Sequence, residues 1–495
     1  MLVSARPLLW VWLGCIGLVL GCSDTGQSEQ PSEMRETSRP NVLFIAVDDL
    51  NDWTSLLKGH AQARTPNIDA LAARGVSFNN AHAAAPTCGP SRAALMTSIR
   101  PSTSGNYENA DTFTGNPVLN QATTLPELFQ NAGYQVTGAG KLYHGSHHKS
   151  ELKGRGFDTY WPSKENDHYK EPKERARPKP MADWGQGKKS FWDWGPMAPH
   201  ITFDDMSDGR MANWVHEQFT TGAIREPFFV GVGIIRPHLP FYAPQSYFDM
   251  YPIEDVALPL IKEDDLADVP AAGRRMGVGE GQHAAITSHG QWKSAVQAYL
   301  AATSFADDCV GRVLDGLRKS GYEDNTVVVL WSDHGWQFGE KEHWAKFTLW
   351  ERATRVNLIF AGPGVLEGVS TGAAVNLLDL YPTLAEMTGL EVPVEQVEGE
   401  NLRPLLSKLT SDSPTPSVTT YGQNNHAVRD TRYRYIRYAD GSEELYDHSN
   451  DPAEWTNLAL NPAHKDTKAR LAKWLPQTNA VRLQGKPVPK VRALE

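Results

Sequence analysis

The chain has 495 residues, which at about 100–200 residues per domain predicts two or three domains and excludes a small disulfide scaffold, a lone binding module and a peptide hormone. Hydrophobic residues make up 40% and charged residues 21% of the chain, with 41 Gly and 33 Pro, a composition typical of a loop-rich globular enzyme. The 48 Lys and Arg against 58 Asp and Glu give a net charge of −10. The chain therefore lacks the basic field that non-specific nucleic-acid binding requires, and we expect no nucleic-acid partner.

The N-terminus predicts export. Residues 1–21 contain Arg6 and then an apolar run, and they read as a signal peptide. The string VLGC that ends at Cys22 resembles a bacterial lipobox, which would make Cys22 a lipidated first residue; cleavage elsewhere as an ordinary signal peptide is the alternative. Residues 22–38 are polar and read as a tether. We expect a periplasmic or cell-surface bacterial lipoprotein that contacts the membrane only through a lipid anchor.

Apolar runs that alternate with helical patterns predict an α/β fold. The runs that read as strands are 41–47, 134–139, 227–235, 326–331 and 356–361. The segments that read as helices are 67–74, 124–131, 291–320 and 377–388. Because the strands are continuously apolar, they predict a mainly parallel sheet covered by helices on both faces.

The chain is predicted to divide into a catalytic domain at 39–405, a linker at 406–420 and a C-terminal subdomain at 421–495. The linker is rich in Ser, Thr and Pro. The segment 421–446 alternates polar and aromatic residues as a small antiparallel sheet would, and 463–475 reads as a closing helix.

Residues 161–214 are rich in tryptophan and read as an insertion. The tryptophans there are Trp161, Trp184, Trp192, Trp194 and Trp214. Buried core packing and a wall for sugar rings are both open interpretations of these side chains.

Charged residues follow four of the predicted strands. They are Asp48 and Asp49, Lys141, Arg236 and His238, and Asp333 and His334. Any one of them could be a cap or turn residue. Together they indicate one site, because ligands of open α/β sheets gather at the carboxyl ends of the strands.

Cys88 is predicted to lie at a helix N-terminus. Pro90 suits the first turn of a helix, where backbone N–H groups and the helix dipole favour an anion. Of the four cysteines, only Cys88 and Cys309 lie beyond the N-terminal segment, so the chain is not disulfide-stapled. As a thiol, Cys88 could be a nucleophile of lowered pKa or an inert buried cysteine.

The string CGPSR at 88–92 resembles the signature of the type I sulfatases, in which the cysteine is converted to formylglycine. Further strings agree with the family in order and approximate spacing, across about residues 38–460. They are RPN at 39–41, TPNIDAL at 65–71, GKLYH at 140–144, RPHLPF at 236–241, SDHGW at 332–336 and WAK at 344–346. The chain most resembles the iduronate-2-sulfatase branch, because His334 stands where many other sulfatases have Asn. The resemblance implies an alkaline-phosphatase-like core with a smaller C-terminal α+β subdomain.

The resemblance also implies one divalent cation. Its ligands would be Asp48, Asp49, Asp333 and His334 together with the modified residue 88. Three carboxylates favour a hard ion, above all Ca²⁺. An imidazole among them is less typical of calcium, so Mg²⁺ remains an alternative.

By the same resemblance, formylglycine at position 88 is a geminal diol when hydrated: one hydroxyl attacks sulfur and the other then expels sulfate. His144 would accept the diol proton, while Arg92 and Lys141 would orient the diol and the charged oxygens. His238 and Lys346 would act on the sulfate and the leaving oxygen. Read without the resemblance, the lysines could be solvated and His238 could cap a strand.

The leading hypothesis is an exported sulfuric ester hydrolase that acts on a sulfated polysaccharide or glycosaminoglycan-like oligosaccharide, with 2-O-sulfated uronate as one candidate. It requires a formylglycine-generating maturation enzyme as a partner. Two alternatives remain: a phosphonate or phosphate monoester hydrolase of the same superfamily, and an inactive carbohydrate-binding lipoprotein.

Overall fold

The computed structural model describes residues 39–144, 155–162, 171–175, 192–278, 281–408 and 415–482. The predicted signal peptide, lipidated Cys22 and tether lie outside the described residues, as does Trp184. In the described part of the chain, no helix is both long and apolar enough to cross a membrane.

The strands are short, and eight of the nineteen in the described residues belong to one sheet. They are β1 (Asn41–Val47), β2 (Gly75–Phe78), β3 (Ala81–His82), β4 (Gln135–Gly140), β5 (Thr159–Trp161), β6 (Trp194–Pro196), β7 (Phe228–Ile234), β8 (Phe241–Ala243), β9 (Thr326–Ser332), β10 (Gln337–Phe338), β11 (Trp344–Ala345), β12 (Arg355–Val356), β13 (Leu358–Ala361), β14 (Val369–Thr371), β15 (Val375–Asn376), β16 (Ser417–Thr420), β17 (His426–Arg429), β18 (Tyr433–Arg437) and β19 (Glu443–Asp447). The eight-stranded central sheet has the order β14-β2-β13-β9-β1-β7-β4-β5.

The structure describes fourteen helices. They are α1 (Pro66–Ala72), α2 (Cys88–Thr97), α3 (Pro101–Ser104), α4 (Pro117–Gln121), α5 (Leu125–Asn131), α6 (Ser207–Thr220), α7 (Gln245–Phe248), α8 (Ala271–Val278), α9 (Gln282–Ser288), α10 (Trp292–Ser320), α11 (Glu351–Thr354), α12 (Leu380–Thr388), α13 (Arg403–Ser407) and α14 (Lys465–Ala472).

The mainly parallel sheet confirms the predicted fold class. Strands β9, β1, β7, β4 and β5 run parallel to one another, whereas β13 is antiparallel to both β9 and β2. The predicted strand 356–361 is divided at Asn357, so that β12 pairs with β3 in a separate small sheet. The buried Asn357 side chain is occupied elsewhere: its Nδ2 donates to Asn51 O at 2.8 Å and its Oδ1 accepts from Thr54 Oγ1 at 3.0 Å.

Each face of the central sheet has its own hydrophobic core, because successive side chains of a strand point to opposite faces. In β1, Leu43 and Ile45 belong to one core, with α6 and α10, while Val42 and Phe44 belong to the other, with α2, α5 and α12. All seven residues of β1 are buried. This two-sided burial explains why the strand is apolar without alternation.

The described tryptophans of the 161–214 region contribute to the first of these cores. Trp161 and Trp194 are buried in it, and Trp192 and Trp214 pack against it. The Trp161 and Trp214 rings are stacked with centroids 6.3 Å apart. Core packing is therefore the interpretation that holds for these four side chains.

The C-terminal subdomain is built on the antiparallel sheet β16-β17-β18-β19. One face packs with Leu471 of α14, and the other, through Ile436 and Tyr446, packs against Trp350. Strand β16 lies inside the range 406–420 that the sequence indicates as a linker, of which 409–414 lie outside the described residues. The proposed domain boundaries stay predictions.

Gly140, which ends β4 immediately before Lys141, provides a test of this packing. It has φ +71°, and a Cβ there would lie 2.1 Å from Gly233 O and 2.3 Å from Met211 Sδ. We expect Gly140→Ala to lower the free energy of unfolding by about 2–5 kcal/mol, from the left-handed backbone and the overpacking together.

Gly133→Ala is the matched control, since Gly133 has φ +85° and nothing within 4 Å of its Cβ position. We expect Gly133→Ala to lower the free energy of unfolding by only about 1–2 kcal/mol. If urea unfolding shows the same loss of free energy for both variants, the close approach of β4 and β7 is contradicted.

Candidate active site

The site lies where four neighbouring parallel strands end. In the register of the sheet, Val47 of β1 is opposite both Ile234 of β7 and Ser332 of β9, and Gly140 of β4 is opposite Gly233. The residues that follow these strands therefore emerge at one edge of the sheet. The four strand ends are brought together as the sequence indicates, but the Arg236 guanidinium pairs with Glu171 at 2.8 Å, so at that strand end only His238 reaches the other groups.

Helix α2 delivers Cys88 to this edge. The residue before the helix, Thr87, is extended and makes no side-chain cap. Asn109 supplies the cap instead: its Oδ1 accepts the Gly89 N–H at 2.7 Å and the Thr87 hydroxyl at 2.9 Å. Asn109 was not predicted from the sequence, because the capping group lies 20 residues from Gly89.

Arg92 lies one helical turn after Cys88 and is completely buried. Its Nε donates to Asp333 Oδ2 at 2.8 Å and its Nη2 to Asp48 Oδ1 at 3.0 Å. Its Nη1 donates to the Leu142 carbonyl at 3.1 Å. One guanidinium thus joins α2 to the ends of β1, β9 and β4.

Three cationic or ring nitrogens surround the Cys88 sulfur. Lys346 Nζ lies 3.0 Å, His334 Nε2 3.2 Å and Lys141 Nζ 3.7 Å from Sγ. Burial alone would raise the pKa of Cys88, but Lys141, Lys346 and His334 lower that pKa well below its usual range. The position of residue 88 is therefore one that stabilises negative charge.

The carboxylates of Asp48 and Asp49 pair with the two lysines. Lys141 Nζ donates to Asp48, and Lys346 Nζ donates to Asp49 Oδ1 at 2.6 Å. Burial would raise the pKa of Asp48, but Lys141, with smaller contributions from His238 and Arg92, holds that pKa well below its usual range.

Asp49 is held by backbone contacts in a left-handed conformation with φ 59°. Its N–H donates to Asp333 Oδ1 at 3.1 Å, and its carbonyl accepts from the Tyr299 hydroxyl at 2.7 Å. Tyr299 lies on the buried face of the long α10. Its role was missed from the sequence, because a tyrosine in an apolar helix pattern reads as core packing.

His238 and His144 complete the predicted set. His238 Nε2 lies 3.6 Å from Asp49 Oδ2, and its Nδ1 lies 2.6 Å from the Leu239 carbonyl. His144 contributes a hydrogen bond to Cys88, while its buried Nδ1 has no hydrogen-bond partner among the described residues. Both imidazoles therefore face residue 88 or its neighbouring carboxylate.

Lys346 is placed by a tightly folded segment. Ala345 and Phe347, on either side of it, have φ 86° and 79°. The buried His343 lies against two backbone carbonyls: its Nε2 is 2.6 Å from Lys346 O, and its Nδ1 contacts Gly277 O. His343 thus ties the lysine's backbone to the end of α8, a role that the sequence did not predict.

The donor set fits a hard divalent cation. Oxygen or sulfur atoms of Asp48, Asp49 and Cys88 lie within 4.8 Å of one another and of a His238 nitrogen, and Cys88 forms a second such group with Asp333 and His334. The Oδ2 atom of Asp49 is buried and has no hydrogen-bond partner among the described residues. A buried carboxylate oxygen without a donor is the type of atom that a cation satisfies.

Comparison with known proteins agrees with this geometry. A sulfatase family model matches residues 40–390, and a model described as N-sulphoglucosamine sulphohydrolase, C-terminal, matches residues 339–481. A sulfatase of Formosa agariphila is 42% identical over 91% of this chain and 89% of its own length. Human iduronate 2-sulfatase is 30% identical over 79% of this chain and 75% of its own length.

Solved structures share the fold. A phosphonate monoester hydrolase from Silicibacter pomeroyi superposes with a TM-score of 0.70 at 23% identity, covering 88% of this chain and 94% of the other. A protein described as a 2-O GAG sulfatase superposes with a TM-score of 0.67 at 24% identity, covering 88% and 91%. The matched family model spans most of the chain, and the curated relatives match it over most of their lengths. The chain belongs to the sulfatase family.

Proposed function

We propose that this sulfatase removes sulfate from a sulfated carbohydrate by means of formylglycine formed at position 88. The observation that carries the proposal is the group of nitrogens around Cys88 Sγ, with Lys346 at 3.0 Å and Lys141 at 3.7 Å, at the N-terminus of α2. A sulfate ester spreads negative charge over its oxygens, and preorganised cations and N–H groups stabilise that charge as the ester bond breaks.

Conversion of Cys88 requires a maturation enzyme as a partner. The aldehyde made from the thiol supplies, in its hydrated form, an oxygen nucleophile at position 88. Arg92 holds the start of α2 against Asp48 and Asp333, which fixes the direction in which residue 88 points.

The remaining side chains have separable tasks. Lys141 and Lys346 hold the oxygens of the bound sulfate group. His238 donates a proton toward the leaving oxygen, and His144, which already hydrogen-bonds residue 88, receives the proton released there. These roles are proposed from position and from the family resemblance.

A divalent cation is proposed at the same carboxylates. Asp48, Asp49, Asp333 and His334 would hold it: Asp48 and Asp49 lie in one close group with residue 88 and His238, and Asp333 and His334 lie in a second group with residue 88. Ca²⁺ is the favoured ion, because three carboxylates supply hard oxygen donors, and Mg²⁺ is the alternative. When bound, the ion would act as a Lewis acid for the sulfate group and the nucleophile.

The proposed substrate is a glycosaminoglycan-like oligosaccharide, with 2-O-sulfated uronate as the first candidate. The similarity to human iduronate 2-sulfatase and to a 2-O GAG sulfatase supports this choice. We also propose export, with residues 1–21 as the signal and Cys22 as the lipid attachment site.

A Cys88→Ala variant tests the nucleophile. We expect sulfate release from an aryl sulfate to fall to the level of the buffer blank, while the cooperative unfolding transition is retained. The protein is coexpressed with a maturation enzyme, and the released sulfate is measured by ion chromatography. The substrates are the aryl sulfate, 2-O-sulfated uronate oligosaccharides and sulfated algal oligosaccharides.

The same assay separates the competing functions. A paired aryl phosphate and aryl phosphonate should be cleaved more slowly than the sulfate; a clear preference for the phosphorus esters would favour a phosphonate or phosphate monoester hydrolase. Tight oligosaccharide binding with an unmodified Cys88 and no turnover would instead favour an inactive carbohydrate-binding protein.

Metal titration tests the cation. Adding Ca²⁺ at about 100 times its Kd to chelator-treated protein should raise the free energy of unfolding by about 2.7 kcal/mol. Asp49→Asn should remove most of this gain, since it removes one ligand oxygen. Calorimetric titrations with Ca²⁺ and with Mg²⁺ give the Kd of each ion, and we expect the lower Kd for Ca²⁺.

Asp315→Asn is the matched carboxylate control, because Asp315 pairs with Arg318 and Lys319, both well exposed, on α10. It should leave the calcium-dependent gain unchanged. If Ca²⁺ raises the free energy of unfolding equally in the parent, Asp49→Asn and Asp315→Asn, there is no cation at Asp49.

A further inference from the structure

A cavity of about 370 Å³ lies between α8 and the C-terminal subdomain. Its lining includes Arg275 and Met276 of α8, Tyr421, and Tyr438 with Asp440. None of these residues is among the predicted site residues. The volume is in the range of small-molecule binding sites.

The cavity adjoins the active site through one aromatic contact. Tyr421, in its lining, has its ring centroid 6.1 Å from that of Phe347. Phe347 follows Lys346, whose Nζ lies 5.9 Å from the Phe347 ring and 3.0 Å from Cys88 Sγ. Phe347 N–H also donates to Pro86 O at 3.1 Å, in the segment that precedes Cys88. The cavity is therefore within the reach of an oligosaccharide of a few units bound at residue 88.

Of the two tyrosines that line the cavity, the half-buried Tyr421 is the one that offers an aromatic face. Tyr438 is buried, and its hydroxyl donates to Glu444 Oε1, which holds the ring in place. An aromatic face with a polar edge suits a sugar ring, which is itself apolar on its C–H face and polar at its rim.

Arg275 gives the cavity a charge preference. Its side chain is 70% exposed, and its Nη2 lies 3.7 Å from Asp440 Oδ2, which is too long for a hydrogen bond. This ion pair therefore leaves N–H groups of the guanidinium to bind a ligand. A planar guanidinium binds carboxylate and sulfate oxygens by paired hydrogen bonds.

We propose that this cavity is a subsite for an anionic sugar unit of the substrate, next in the chain to the unit whose sulfate is removed, with Arg275 as its anion-binding residue and Tyr421 as its stacking face. The inference rests on the proposed function, because that function supplies the oligosaccharide. It predicts a preference for oligosaccharides over the isolated sulfated unit.

The test is calorimetric binding to the Cys88→Ala protein, which removes turnover from the measurement. The ligands are the isolated 2-O-sulfated uronate and a tetrasaccharide that carries it at its end, and a matching pair from a sulfated algal polysaccharide. We expect Arg275→Gln to raise the Kd of the tetrasaccharide about tenfold while leaving that of the isolated sulfated unit within twofold. Tetrasaccharides that carry only a carboxylate or only a sulfate on the inner unit identify the anion.

Arg274→Gln is the matched control, since Arg274 is the preceding exposed arginine of α8 and does not line the cavity. The subsite proposal is wrong if the two substitutions raise the Kd of the tetrasaccharide equally, or if the parent Cys88→Ala protein binds neither tetrasaccharide. Aryl sulfate hydrolysis by Arg275→Gln on the Cys88 background should equal that of the parent; a parallel loss would show that Arg275 supports the fold and would overturn the subsite as well.

The two proposals fail differently. If the parent releases no sulfate from any ester, the proposed function fails, but the Arg275 dependence of binding still decides the subsite. If sulfate is released and Arg275→Gln leaves tetrasaccharide binding unchanged, the subsite fails alone.

Discussion

The buried guanidinium of Arg92 is the contact on which the rest of the site depends. It joins the first turn of α2 to Asp48 and Asp333, which follow β1 and β9. Burying three charges is costly in a medium of low dielectric constant, and removing one partner of such a group leaves the others uncompensated. The arrangement therefore fixes the position of Cys88 relative to the sheet edge more firmly than apolar packing of the short α2 would. Charge is also balanced around it, because Lys141 and Lys346 pair with Asp48 and Asp49.

The central sheet and the loop that carries Lys346 contribute different parts of the site. The sheet supplies the charged residues at strand ends, whose spacing is set by the parallel register. The segment that contains Lys346 instead depends on long-range contacts: His343 reaches α8, and Phe347 packs against Tyr421. The rigid sheet edge thus carries the charged residues that surround Cys88, while the loop with Lys346 adjoins the cavity that we propose as the neighbouring subsite. This division agrees with the general tendency of α/β enzymes to vary specificity through loops on a fixed scaffold.

Much of the fold could be predicted because a strand that is buried on both faces appears in the sequence as a continuous apolar run. Strand β1 was predicted with its bounds, and the mainly parallel sheet is confirmed. The antiparallel direction of β13 was not predicted, because an apolar run carries no information about direction. The charged residues of the site were predicted from strand ends and from the family motifs, and the structure brings them together. Asn109, Tyr299 and His343 were missed, because each acts through a contact with a part of the chain that is distant in sequence.

The most direct test of the central claim is mass spectrometry of the peptide that contains Cys88, from protein coexpressed with a maturation enzyme, measured beside sulfate release. We predict an aldehyde in place of the thiol. The rate of sulfate release should rise in proportion to the fraction of Cys88 that is converted to formylglycine across preparations. Release by protein whose Cys88 is entirely thiol would contradict it. So would complete conversion without release of sulfate from aryl sulfate or from either oligosaccharide series.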